Sequence, residues 1–188
     1  MTGVAQSIRE GSIIIRPGFL TTQQLKDLEK KIFDYEYTPT HQPPMGYGNR
    51  FQAYPCYESK DLWHIDKKIF NVFKEKIQNL LEDTIVGLQC MARKTVIEEV
   101  KKSAAKEKYG IVHRDTDVEF AFVFQFVQSF NAGTAFFENF NDKLPDIEIS
   151  AYRNRLILYN AQRWHAPCTD FTFKERYIIS GFVRTEKW

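Results

Sequence analysis

Apolar residues along this chain follow two different periods, and the change falls near residue 84. In the first half they recur in steps of three and four. Over residues 61–81, Leu62, Ile65, Ile69, Phe73, Ile77 and Leu80 share one stripe, which predicts an amphipathic helix laid on a core. Upstream, "LTTQQL" reads as a helix start: Thr21 takes the cap position, Gln24 three residues later closes a capping box, and Leu20 can staple onto Leu25. That helix is expected to reach about Phe33, after a short strand at 13–15 and a turn at Pro17-Gly18. Between the two helices, residues 37–59 carry four prolines and two glycines with no sustained period. A connection of that length is usually functional, so it is marked as a candidate lid.

The second half changes to runs of β-branched and aromatic residues broken by turn signals, at 85–97, 118–128, 134–138, 146–150, 154–159 and 176–183. In "EFAFVFQFVQ" the side chains alternate. Phe120, Phe122, Phe124 and Phe126 share one face, expected to meet the helices or a second sheet, while Ala121, Val123, Gln125 and Val127 share the other. Helices followed by many short strands predict a mainly β fold: a double-sheet jelly roll or barrel, with the two helices packed on one sheet and a mouth suited to a small ligand. The chain is expected to form one domain over 1–188, with a helical part at 1–84 and a β core at 85–188.

Composition narrows the partners more than the chemistry. With 26 Lys and Arg against 24 Asp and Glu, the formal charge of +2 and the scattered basic residues argue against a nucleic-acid or membrane surface. Cys56, Cys90 and Cys168 are odd in number and far apart, which fits neither a disulfide framework nor a thiolate metal motif and favours a reducing, cytoplasmic setting. The amino-terminal stretch lacks the basic start and apolar run of a secretory leader.

Two His-x-Asp triplets carry candidate metal chemistry. His64-Ile65-Asp66 falls inside the predicted helix, where residues two apart point to nearly opposite sides, and is read as a decoy. His113-Arg114-Asp115 falls at a strand edge or the adjoining turn, where residues two apart point the same way and can converge on one ion. A further stretch, "RLILYNAQRWHAPCTDFTFKERYIISGFVR", supplies His165 and then Arg176 at the start of a strand. Two histidines and a carboxylate make a facial triad that leaves coordination positions open. Taken singly, each of these residues is equally what a hydrogen-bonded polar turn supplies.

In their order and spacing, His113, Asp115, His165 and Arg176 resemble the Fe(II)/2-oxoglutarate-dependent dioxygenase superfamily, in its prolyl-hydroxylase-like and phytanoyl-type branches. "NAGTAFFENF" at 131–140 resembles that family's Gly-rich turn, and "RPGFLTTQQLKDLEK" its amino-terminal strand, turn and helix. The family often has glycine where this chain has Asn154, a residue that tolerates the left-handed conformation. The resemblance implies a double-stranded β-helix in which His113, Asp115 and His165 hold Fe(II). It also implies that 2-oxoglutarate chelates the metal and pairs its far carboxylate with Arg176, helped by the hydroxyl of Ser180, Tyr159 or Tyr109. The implied reaction consumes O2, releases succinate and CO2, and hydroxylates a small molecule or a peptidyl side chain. Family halogenases have a small residue in place of Asp115, so its presence favours hydroxylation. Arg184 stands eight residues after Arg176 and does not reproduce the second arginine of the base-demethylating relatives. A non-catalytic jelly-roll module that binds a metal or ligand is the competing reading.

Overall fold

The computed structural model describes residues 3–40, 55–103 and 107–187. Most of the candidate lid, with His41, Tyr47, Arg50 and Tyr54, lies outside the described residues.

Among the described residues, ten strands form two antiparallel sheets. The larger, in the order β1 (Ile14–Pro17), β8 (Arg155–Asn160), β5 (Phe120–Gln125), β10 (Glu175–Thr185), β4 (Ile85–Val96), β3 (Tyr57–Glu58) and β2 (Thr38–Pro39), faces a smaller one ordered β7 (Ile147–Ala151), β6 (Ser129–Phe137) and β9 (Trp164–Cys168). Strand order is strongly permuted against chain order, as expected of a jelly roll in which successive strands cross between sheets.

The phenylalanine stripe decides which face meets the helices. Phe120, Phe122 and Phe124 are fully buried, and Phe73 of α4 (Lys67–Leu81) stacks against Phe122 and Phe124 with ring centroids 5.9 and 5.4 Å apart. α2 (Thr22–Ile32) adds Leu25, Leu28 and Ile32 to the same core. Each buried aromatic here contributes on the order of 2–3 kcal/mol. On the opposite side of the large sheet, Ala121, Ile157 and Tyr159 pack with Phe136 and Ile149 of the small sheet. One sheet therefore has two different jobs, helix packing outside and packing on the small sheet inside.

Local signals hold where side chains bond their own backbone. Thr21 and Gln24 form the capping box at the start of α2. The predicted single helix over 61–81 is instead two, α3 (Leu62–Ile65) and α4, because Asp66 leaves the helical conformation and caps α4 by accepting from the Ile69 N–H. Ile65 is exposed at that break and leaves the stripe. Five elements were not expected, among them the two-residue strands β2 and β3 at the ends of the candidate lid. α1 (Val4–Arg9) is too short to show a period, yet buries Ala5 and Ile8; α5 (Ile97–Lys102) follows β4 directly; β9 contains Pro167, a residue that argues against a strand. Among the described residues no helix is long and apolar enough to cross a membrane.

Candidate metal centre

Alternation along two neighbouring segments builds the centre. In β9, Ala166 joins Ala135, Phe137 and Cys168 in a small cluster against which Trp164 packs, while His165 turns inward against Tyr159, their rings 4.9 Å apart. Beside β9 runs the segment that carries His113, which exchanges backbone hydrogen bonds with His165 in both directions at 2.9 and 2.8 Å. Arg114 then stacks over the Trp164 ring at 5.0 Å, which leaves His113 and Asp115 together on the inner side. Backbone bonds anchor the carboxylate residue: the Asp115 N–H donates to the Ala161 carbonyl, and Gln162 Nε2 donates to the Asp115 carbonyl.

The three side chains converge, each offering a ligand atom within 4.8 Å of the others. His165 Nε2 lies 3.4 Å from Asp115 Oδ2, and His113 Nε2 lies 3.9 Å from Asp115 Oδ1. Both rings use Nδ1 against a backbone carbonyl at 2.9 Å, that of Ile111 for His113 and that of Arg163 for His165. A neutral imidazole whose Nδ1–H donates this way presents its Nε2 lone pair. Burial, reinforced by the neighbouring His113, pulls the His165 pKa down to about 3, so its ring is neutral near pH 7. Burial raises the Asp115 pKa, while the charges of His113 and Arg93 oppose the rise. The two Nε2 atoms and the carboxylate oxygens, 3.9 and 3.4 Å apart, thus face one point, an arrangement that a cation can bridge. Two nitrogens and one oxygen are a donor set that divalent iron accepts.

The remaining candidates divide. Arg176, 4 % exposed, reaches across from β10 and donates Nη1 to the Cys168 carbonyl and Nη2 to the Gly133 carbonyl, both at 3.1 Å. Ser180 sits four residues along the same face of β10, and among the described residues neither its buried Oγ nor the enclosed Arg176 Nε has a partner. Two orphaned polar atoms on one wall mark a place for a polar ligand. Gly133 lets the small sheet close here, since a Cβ on it would stand 2.0 Å from the Ile149 carbonyl oxygen. Tyr159 is buried beside His165. Tyr109 points elsewhere: its hydroxyl donates to Glu148 at 2.9 Å and its ring packs on Phe137. The decoy triplet is apart from the centre, with His64 exposed and Asp66 bound to Lys31 and Tyr35.

Sequence reasoning passed over Arg93. It stands on β4 directly across from Ile178 of β10, so it shares the inner face with Arg176 and Ser180. The available signal was the alternation in "QCMARKT", with Cys90 and Ala92 on the helix side and Gln89, Met91, Arg93 and Thr95 on the other.

No protein-family profile matches the chain, and no curated protein matches it in sequence. Solved structures do. A prolyl hydroxylase from Trichoplax adhaerens, in complex with a hypoxia inducible factor oxygen degradation domain peptide fragment, superposes with a TM-score of 0.70 at 14 % identity, over 98 % of this chain and 88 % of that one. The non-heme alpha ketoglutarate dependent epimerase SnoN from nogalamycin biosynthesis gives 0.67 at 10 %, over 97 % and 82 %. HygX from Streptomyces hygroscopicus, with nickel and 2-oxoglutarate bound, gives 0.62 at 7 %, over 99 % and 88 %. At these identities the likeness speaks for architecture: this chain has the double-stranded β-helix fold of the 2-oxoglutarate- and Fe(II)-dependent oxygenases.

Proposed function

We propose that the protein is an Fe(II)- and 2-oxoglutarate-dependent dioxygenase that hydroxylates a small molecule or a peptidyl side chain. The observation that carries this reading is the convergence of two histidine Nε2 atoms and the Asp115 carboxylate within 4.8 Å, with both Nδ1 atoms already engaged by backbone carbonyls. In it His113, Asp115 and His165 hold the metal. Arg176 and Ser180, whose Nε and Oγ lack partners, take the far carboxylate of 2-oxoglutarate. Tyr159 keeps the His165 ring in place and excludes water from that side. The chemistry supplied by bound Fe(II), 2-oxoglutarate and O2 is oxidative decarboxylation to succinate and CO2, coupled to hydroxylation of a substrate C–H bond. The partners are accordingly 2-oxoglutarate, O2 and one prime substrate.

The test is an anaerobic titration with Fe(II) and then 2-oxoglutarate, followed by the weak visible charge-transfer band of an iron–keto-acid chelate. The band is expected in the parent and absent in His165→Ala. A spectrum unchanged by both ligands, with no gain in thermal stability from either, overturns the reading in favour of a non-catalytic jelly-roll module.

A further inference from the structure

Arg93 has neighbours on both sides that give it a role. The β4–β10 register sets Thr95 opposite Arg176 and Arg93 one inward step along, and the β3–β4 register sets Glu58 directly across from Arg93. Strand alternation therefore sets Arg93, Arg176, Ser180 and Glu58 on the inner face of one sheet.

The two arginines are held differently. Arg176 is deep and tied to two carbonyls. The Arg93 side chain is 24 % exposed, its Nε is enclosed without a partner, and its guanidinium makes no hydrogen bond to a described residue. Its Nη2 stops 3.6 Å from Glu58 Oε1, on a side chain that is also 24 % exposed. Two other arginine–carboxylate pairs close fully, Arg153 on Glu29 at 2.7 Å and Arg163 on Asp146 at 2.8 Å. Cross-strand neighbours have the reach to do the same. This pair stands open instead, on the sheet face that carries Arg176 and Ser180 and nearer solvent than Arg176.

An open pair of opposite charges is poorly matched to a lone anion, which Glu58 would repel, or to a lone cation, which Arg93 would repel. It matches a group with both signs, whose carboxylate fills the Arg93 fork and whose ammonium meets Glu58, so that no net charge is buried. We propose that Arg93 and Glu58 together read a zwitterionic unit, a carboxylate beside an ammonium, and that the prime substrate is a free amino acid or a small molecule bearing that unit. For the reaction performed, this inference rests on the oxygenase reading above.

The experiment uses the full chain loaded with Zn(II), which is diamagnetic and does not turn over, and with 2-oxoglutarate. Ligand-observed NMR measures binding of the proteinogenic amino acids and of their N-acetyl and carboxamide forms. At least one free amino acid is expected to bind, with either blocking group weakening it about tenfold or more. Arg93→Met should abolish the preference for a free carboxylate and Glu58→Gln the preference for a free ammonium, while 2-oxoglutarate affinity stays unchanged in both. The proposal is overturned if no free amino acid binds, if blocked and free forms bind alike, or if Arg93→Met weakens only 2-oxoglutarate. Loss of 2-oxoglutarate binding in the parent would instead overturn the oxygenase reading, and the Arg93-dependent binding would remain readable without it.

Discussion

His113 and His165 are joined by their main chains before any metal joins their rings: each backbone N–H donates to the other's carbonyl, at 2.9 and 2.8 Å. The two candidate ligands are held in register by a bridge that side-chain truncation leaves intact. Fold and metal affinity should therefore separate in mutants of this pair.

His113→Ala and His165→Ala should each keep the folded state while losing the stabilisation that a divalent ion gives the parent. At a metal concentration a hundred times the dissociation constant, that stabilisation is about 2.7 kcal/mol. His165 is 5 % exposed and packed on Tyr159, so its truncation should also cost about 1–2 kcal/mol without metal; the half-exposed His113 should cost less. Thermal unfolding with and without Ni(II) reads both effects. A metal-dependent rise that survives in either variant would remove that histidine from the site.

Arg176 serves the fold and the candidate cosubstrate pocket at once. Its two donated hydrogen bonds tie β10 to the carbonyls of Gly133 and Cys168, on both neighbouring strands of the small sheet. Hydrogen bonds from a charged donor are worth roughly 1.5–3 kcal/mol each. Arg176→Ala should lower stability by about 2–4 kcal/mol, weaken 2-oxoglutarate by tenfold or more, and leave metal affinity nearly untouched. Calorimetric titration of metal and of 2-oxoglutarate separates these; equal loss of both would mean that Arg176 only supports the sheet.

Asn154 was readable from its type alone, since a turn before β8 that favours glycine in the resembled family accepts asparagine with little strain. Its φ of 63° agrees, and the side chain does more than tolerate that angle. Oδ1 accepts from the Leu20 N–H and Nδ2 donates to the Leu20 carbonyl, both at 2.8 Å, clamping the turn to the start of α2. Asn154→Gly keeps the backbone and loses the clamp, at about 1–2 kcal/mol; Asn154→Ala adds about 1 kcal/mol of strain. Denaturant midpoints should fall in the order Asn, Gly, Ala, with metal binding unchanged in all three. Gly equal to or above Asn would show that the clamp contributes nothing.

The contrast between Asn154 and Arg93 shows where sequence reading stops. Local physics, such as the Thr21–Gln24 box or the alternating phenylalanines, is written within a few residues and survived into the structure. His113, Asp115, His165 and Arg176 were found because they recur in an order that a known chemistry needs. Arg93 belongs to no such order, and a mostly polar alternation of Gln89, Met91, Arg93 and Thr95 reads as a solvent face. Only the opposing sheet, assembled from strands far along the chain, turns that face inward. The break at Asp66 was missed for a related reason: the apolar stripe continues across it, and only the partners brought by α2 and the segment after it reveal the cap.

Those partners make Asp66 a test of charge separate from the site. Burial alone would raise its pKa, but Lys31 at 2.6 Å, the Ile69 N–H and the Tyr35 hydroxyl together lower it below the ordinary value of 3.8. A carboxyl with a depressed folded pKa contributes stability that is fully present above its unfolded value and is lost as pH falls through the folded one. Asp66→Asn retains an oxygen for the Ile69 N–H and removes the charge facing Lys31. Because Lys31 is 46 % exposed, solvent screening limits the loss to about 1 kcal/mol at pH 7. That difference should hold down to about pH 5, shrink through pH 4, and vanish once Asp66 is protonated in the folded parent. Urea unfolding of parent and variant across this range measures it directly. A gap that stays constant with pH would assign the effect to cap geometry, and a gap that widens in acid would mean that Asp66 is held neutral in the folded chain.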